Sequence, residues 1–156
     1  MLAATIQNFE CCFSAKTGTR IDTIKSHAHD GSMNFVMFIS AYGGTLAIVI
    51  LTREPGYNHW IAWNITPTEC IPGGIAKGSV IENPIHIEQG IAYGKHCYRG
   101  PKPPFNWNHE YLFTLYTLDC TLEANEKSKK EDILKLAEGH ILQKAELRGR
   151  YQRKHQ

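Results

Sequence analysis

Thr45-Leu46-Ala47-Ile48-Val49-Ile50-Leu51-Thr52 is apolar on both of the faces that a strand would present. A period-2 chain that is greasy at odd and even positions alike reads as a strand covered on two sides. The run from Leu46 to Leu51 is also the longest apolar stretch of the chain, far short of the ~20 residues that a membrane-spanning helix needs. Tyr42-Gly43-Gly44 before it supplies a turn.

Downstream, Asn58 to Ile65 alternates. His59, Ile61, Trp63 and Ile65 would share one face, with Asn58, Trp60, Ala62 and Asn64 on the other. Residues 66–108 are rich in Gly and Pro and lack a period, as a long functional loop would. Glu110 to Asp119 returns to strand composition, with Tyr111, Phe113 and Leu115 on the face of His109. Upstream, Met33 to Ile39 is a further β-rich run. The expected architecture is mainly β and antiparallel.

One helix is signalled near the C-terminus. Ser128-Lys129-Lys130-Glu131 has the form of a capping box, and Ile133, Ala137 and Ile141 follow the helical period with Leu134 and Leu142 beside them. Gly139 within that pattern implies close packing or a break. Ala145 to Tyr151 alternates again, predicting a final strand.

The 156 residues suit a single domain over 1–156, 42% apolar and with net charge +2. From Glu123 to Gln156 nine Lys/Arg face six Asp/Glu, too slight an excess for a nucleic-acid-binding stripe. The five cysteines, Cys11, Cys12, Cys70, Cys97 and Cys120, form no C-x-x-C pair. Their odd number and the absence of a basic, apolar leader point to reduced thiols in a cytoplasmic protein.

The common nucleophile, phosphate-loop, dinucleotide and zinc-protease signatures are missing. His27-Ala28-His29-Asp30 could present two imidazoles and a carboxylate to a metal, but a turn at Asp30-Gly31 explains the segment as well. His59 and His109 stand at strand starts beside irregular segments, where pockets form. Pro101, Pro103 and Pro104 would give the second a rigid rim that loses little entropy on binding.

Tyr98-Arg99-Gly100-Pro101-Lys102-Pro103-Pro104, followed by His109-Glu110-Tyr111-Leu112-Phe113-Thr114-Leu115-Tyr116-Thr117-Leu118-Asp119, resembles the Y-x-G-P-x-P-P … H-R-Y-x-F-x-L-Y-x-L-D block of the phosphatidylethanolamine-binding protein family, in its bacterial and archaeal Raf-kinase-inhibitor-like branch. His59-Trp60-Ile61-Ala62-Trp63-Asn64-Ile65-Thr66-Pro67 is similar to its H-W-x-x-x-N-I-P segment. Gly139-His140-Ile141-Leu142 through Gly149-Arg150-Tyr151 resembles its C-terminal helix and strand. The resemblance implies a Greek-key antiparallel β-sandwich with a C-terminal helix and final strand, and a small anion-binding pocket near one end. It implies a non-enzymatic binder of a small anion or phosphorylated headgroup, with no cofactor. His59 and His109 would be the pocket histidines, Tyr111 their aromatic neighbour, and Pro101, Pro103 and Pro104 the rim. An alternative is a protease or kinase inhibitor or adaptor acting through the 94–108 loop, and exposed aromatic loops admit a homodimer. A hydrolase or metalloenzyme using Glu54 or Glu110 is the third reading.

Two departures from the family pattern bear on the ligand. Leu51-Thr52-Arg53-Glu54-Pro55-Gly56 replaces the family's D-P-D-x-P motif, and Glu110 replaces the Arg after the second histidine. A compensating Arg53–Glu110 pair is expected; alternatively Arg53 points into the pocket and strengthens anion binding.

Overall fold

The computed structural model describes residues 7–13, 20–29, 32–40, 46–53, 56–68, 70–71, 74–100 and 107–152. Among the described residues, ten strands and one helix run in the order β1 (Gln7–Phe13), β2 (Arg20–His29), β3 (Ser32–Ser40), β4 (Leu46–Arg53), β5 (Tyr57–Ile65), β6 (Cys70–Ile71), β7 (Val80–Ile81), β8 (Ile87–Gln89), β9 (Asn108–Leu118), α1 (Lys130–Leu136) and β10 (Ile141–Gln152). Seven strands form one sheet in the order β1-β10-β9-β4-β5-β8-β7, and β2-β3-β6 form a second. The strand pairs of both sheets are antiparallel, as expected.

β4 is the centre of the larger sheet, flanked by β5 and β9. Its two faces feed two separate clusters. Ala47, Val49 and Leu51 join Trp60, Ala62, Phe113, Leu115, Ala145 and Leu147, together with Ile71 from the smaller sheet. Ile48 and Ile50 join Ile61, Trp63, Leu118 and Leu122, with Ile133 and Ala137 from the helical segment. Burial on both faces is the physical reason the β4 sequence does not alternate.

The alternation expected for β5 is broken twice. Ala47 pairs with Ile65 but Val49 with Ala62, so β5 carries one extra residue there, and Asn64 takes a left-handed φ of 49°. This bulge returns Ile65 to the Trp60 and Ala62 face, opposite to the one expected. Leu51 pairs with Trp60 but Thr52 with Asn58, leaving His59 as a second extra residue. That bulge likewise moves His59 off the Ile61 face. An extra residue without a partner re-aims its side chain, and bulges are frequent beside functional sites.

Residues 66–108 are not a plain loop, for β6, β7 and β8 lie within them. Strands of two or three residues are too short to show a period. The helix begins one residue later than the capping pattern suggested. Asp132 accepts the Lys129 backbone N–H at 2.9 Å, while Ser128 Oγ accepts from Asn125 N–H instead. It also ends earlier, at Leu136, because Gly139 adopts φ +78° and turns the chain into β10. Nothing lies within 4 Å of a Cβ added at Gly139, so the glycine serves a break and not close packing. Ile141 and Leu142 therefore belong to the final strand. Its alternation holds: Ala145, Leu147 and Gly149 are buried, and Glu146, Arg148 and Arg150 are not.

Candidate functional site

Antiparallel pairing sets the site at one end of the larger sheet. Arg53 closes β4 and pairs with Tyr57 of β5 on one side and Tyr111 of β9 on the other. His59 and His109 thus arrive near the same edge from different strands. The His59 ring meets the Tyr111 ring edge-on at 5.3 Å, and the His109 ring lies 6.5 Å from it on a tilt. Tyr111 is buried and contacts both imidazoles.

His59 is buried and has both ring nitrogens engaged. Nδ1 lies 3.0 Å from the Arg99 carbonyl oxygen, which only accepts, so this nitrogen carries the proton. Nε2 lies 3.4 Å from the Tyr93 hydroxyl, and the Tyr93 ring packs on the imidazole at 5.2 Å. Burial lowers the His59 pKa; the Arg99 carbonyl opposes this, and the charges of Arg99, Arg53 and His109 lower it further. At neutral pH the ring is an uncharged acceptor at Nε2, ready to become a donor when protonated.

His109 is half-buried at the start of β9. Its Nδ1 lies 3.5 Å from Arg53 Nη1. A guanidinium can only donate, so Nδ1 is the acceptor and the neutral ring keeps its proton on Nε2. Burial and then the Arg53 charge lower the His109 pKa. Trp107 packs on its other side at 6.2 Å.

Arg53 is a cation beside His109. Its guanidinium stacks 4.4 Å over the Tyr57 ring, and its Nε is buried with no hydrogen-bond partner among the described residues. Arg99 stacks 4.0 Å over Tyr93. Each arginine is thus clamped on an aromatic face, and Tyr57 (55%), Tyr93 (44%) and Trp107 (55%) are exposed.

The expected Arg53–Glu110 pair does not form. Glu110 accepts from Arg148 Nη1 at 2.9 Å and lies 3.7 Å from Arg150 Nε. It alternates with His109 and Tyr111 along β9, so it faces away from them and meets β10 instead. Glu110 therefore pairs with β10 and not with Arg53. Glu54, Pro101, Pro103 and Pro104 lie outside the described residues, as do Asp30 and the Tyr42-Gly43-Gly44 turn.

Two members of the site escaped the sequence reading. Tyr93 carries no periodic signal, and it takes φ 52°, a turn conformation that a bulky residue rarely adopts. Arg99 stands inside the quoted Tyr98–Pro104 block and was legible there. Behind the site, Trp60 Nε1 donates to Gln89 Oε1 at 2.8 Å, and Gln89 Nε2 donates to the Ala76 and Gly78 carbonyls at 3.0 and 2.9 Å. Gln89 is fully buried with its amide satisfied, which ties the 76–78 segment to the strand of His59.

Comparison with known proteins bears on the family and the fold. A profile of the family described as phosphatidylethanolamine-binding protein matches residues 51–152. A UPF0098 protein of Pyrococcus abyssi is 44% identical over 115 residues, covering 69% of this chain and 65% of that protein. One of Pyrococcus horikoshii is 41% identical, over 69% of this chain and 58% of its own length. The chain thus matches less than two thirds of the length of these two relatives. A crystal structure of a phosphatidylethanolamine-binding protein homologue, CT736 of Chlamydia trachomatis, superposes with a TM-score of 0.65 at 26% identity, over 77% of this chain and 81% of that one. Escherichia coli YbcL shares the fold at the same TM-score and 19% identity, over 77% and 80%. With a profile match across most of its length, this chain belongs to the phosphatidylethanolamine-binding protein family.

Proposed function

We propose that the chain is a non-enzymatic, cytoplasmic binding protein that captures a small oxyanion or phosphorylated headgroup between His59 and His109. The observation that carries this is Arg53. Its buried Nε is a donor lacking an acceptor among the described residues, and its Nη1 leans on a neutral histidine. A buried donor of this kind is expensive until an acceptor arrives. An anion supplies that acceptor and also favours protonation of both imidazoles, turning His59 Nε2 into a second donor. Charge-assisted hydrogen bonds of this kind are about twice as strong as neutral ones.

Titration with sulfate and with phosphoethanolamine, followed through the histidine ring resonances, tests the reading. His59 and His109 shift, while His86 and His140, on other parts of the surface, do not. Unmoved resonances at both pocket rings would overturn it.

A second reading, docking onto a protease or kinase, draws on the exposed aromatic rim of Tyr57, Tyr93 and Trp107. Contiguous exposed aromatics favour macromolecular contact. Protease and kinase inhibition assays with a Trp107→Ala variant separate it from simple ligand capture.

A further inference from the structure

The opposite end of the larger sheet holds a second group of chemically reactive side chains. Asp119 and Cys120 follow directly on β9, and His140 directly precedes β10. One potential ligand atom from each lies within 4.8 Å of the other two. His140 Nδ1 and Asp119 Oδ1 are 2.8 Å apart.

We propose that Asp119, Cys120 and His140 form a binding site for a divalent transition metal of the zinc class, completed by water. The donor set is the first argument. Thiolate, imidazole and carboxylate oxygen together suit a borderline-soft ion and exclude the all-oxygen sites of magnesium or calcium. In a tetrahedral zinc site, ligand atoms lie roughly 3.3–3.7 Å from one another, given metal–ligand distances of about 2.0–2.3 Å. The His140–Asp119 contact must open slightly and the sulfur must close in. Side-chain rotation supplies both.

Backbone order is the second argument. The Asp119 N–H donates to the His140 carbonyl at 3.1 Å, and the His140 N–H donates to the Ala137 carbonyl at 3.0 Å. Gly139, at φ +78°, delivers His140 into this position. Cys120 is half-buried against the Leu118, Leu122 and Ile133 cluster, so its sulfur has a packed base. The three donors are thus held by a strand end, a turn and a core contact. An exposed His–Asp ion pair alone contributes little to stability and gives no reason for a thiol within reach of both partners.

On binding, the Cys120 thiol loses its proton to solvent and the thiolate sulfur becomes a ligand. His140 Nδ1, which donates to Asp119 in the free chain, gives up that proton to solvent or to Nε2 and contributes its lone pair, the neutral ring then carrying its proton on Nε2. The metal replaces the hydrogen bond to Asp119 and leaves one position to water. His109 and Asp119 are separated by the length of β9, roughly 30 Å at about 3.3 Å per residue. This site is therefore independent of the anion pocket.

The test is titration of the reduced full-length chain with cobalt(II) alone, followed by zinc competition. One cobalt per chain binds with a near-ultraviolet thiolate charge-transfer band, and zinc abolishes that band. Cys120→Ser and His140→Gln each weaken cobalt binding at least tenfold and Cys120→Ser removes the band, whereas a Cys11→Ser/Cys12→Ser double variant keeps it. His140→Gln changes an exposed side chain and reports on the site even where Cys120→Ser fails to fold. Absence of the band, its persistence in Cys120→Ser, unchanged affinity in His140→Gln, or its loss in the Cys11/Cys12 variant overturns the proposal.

Discussion

His59 and Arg99 are joined reciprocally: the imidazole Nδ1–H donates to the Arg99 carbonyl at 3.0 Å, and the Arg99 backbone N–H donates to the His59 carbonyl at 3.1 Å. A side chain and a peptide group thereby lock the bulged residue of β5 to the loop that carries Arg99. The ring cannot flip without losing the first bond, so Nε2 is held on the pocket side.

From this bond follows a separation of folding from binding. His59→Ala leaves the Arg99 carbonyl without its donor and costs about 1 kcal/mol of stability. His59→Asn keeps a donor near the Nδ1 position and recovers part of that loss. Both variants lose Nε2, and sulfate affinity falls at least tenfold in each. Denaturant unfolding and calorimetric titration measure the two effects.

The pocket histidines also set the pH dependence. Both pKa values lie below 6.5 in the free protein, so between those values and 6.5 the unfolded chain binds more protons. Their contribution to stability is complete above pH 6.5 and is lost as pH falls through the folded values. Sulfate reverses the preference, because it favours the protonated rings. Sulfate keeps its own charge over this range, so its affinity rises as pH is lowered from 8 toward 6. Titrations at several pH values, with proton uptake on binding, check the sign. His86 behaves oppositely: its hydrogen bond to Glu82 raises its pKa, and its contribution is lost as pH rises through that value.

Arg53 and Glu110 are expected to differ sharply despite lying on adjacent strands. Arg53→Gln removes the pocket cation and lowers sulfate affinity at least tenfold. Glu110→Gln changes that affinity less than twofold, since its partners are Arg148 and Arg150. The same substitution costs at most about 1 kcal/mol, as partly exposed ion pairs do. Parallel isotherms of the two variants settle the comparison.

Gly90 offers a packing test away from both sites. A Cβ there would meet Ile61 Cγ2 at 2.6 Å, Trp63 Cζ3 at 3.1 Å and the Ser128 carbonyl oxygen at 3.2 Å. Gly90→Ala is therefore destabilising by about 1–3 kcal/mol, read as a lowered denaturation midpoint.

Much of this was legible in the residues, and the exceptions have local causes. The doubly apolar Leu46–Leu51 run announced a strand covered on both faces, and the alternation of Ala145–Tyr151 announced β10. His59 and His109 stand at strand starts beside irregular segments, and the family resemblance, more than their spacing, singles them out as candidates. The facing of Glu110 is legible too, because period 2 puts it opposite Tyr111. The orientations of His59 and Ile65 were not available. Each depends on a bulge, and one extra residue reverses every face assignment beyond it. The strands β6 to β8 were hidden by their brevity. Ser128 carries the residue type of a cap but spends its hydroxyl on Asn125.

The bulge at His59 carries an evolutionary corollary. Removing a single codon beside it would let β4 and β5 pair in uninterrupted register, turning that imidazole toward the helix-covered side while the hydrophobic interior stayed intact. On the proposed reading, a lineage of this architecture sheds ligand capture through one small in-frame deletion and persists as a folded scaffold.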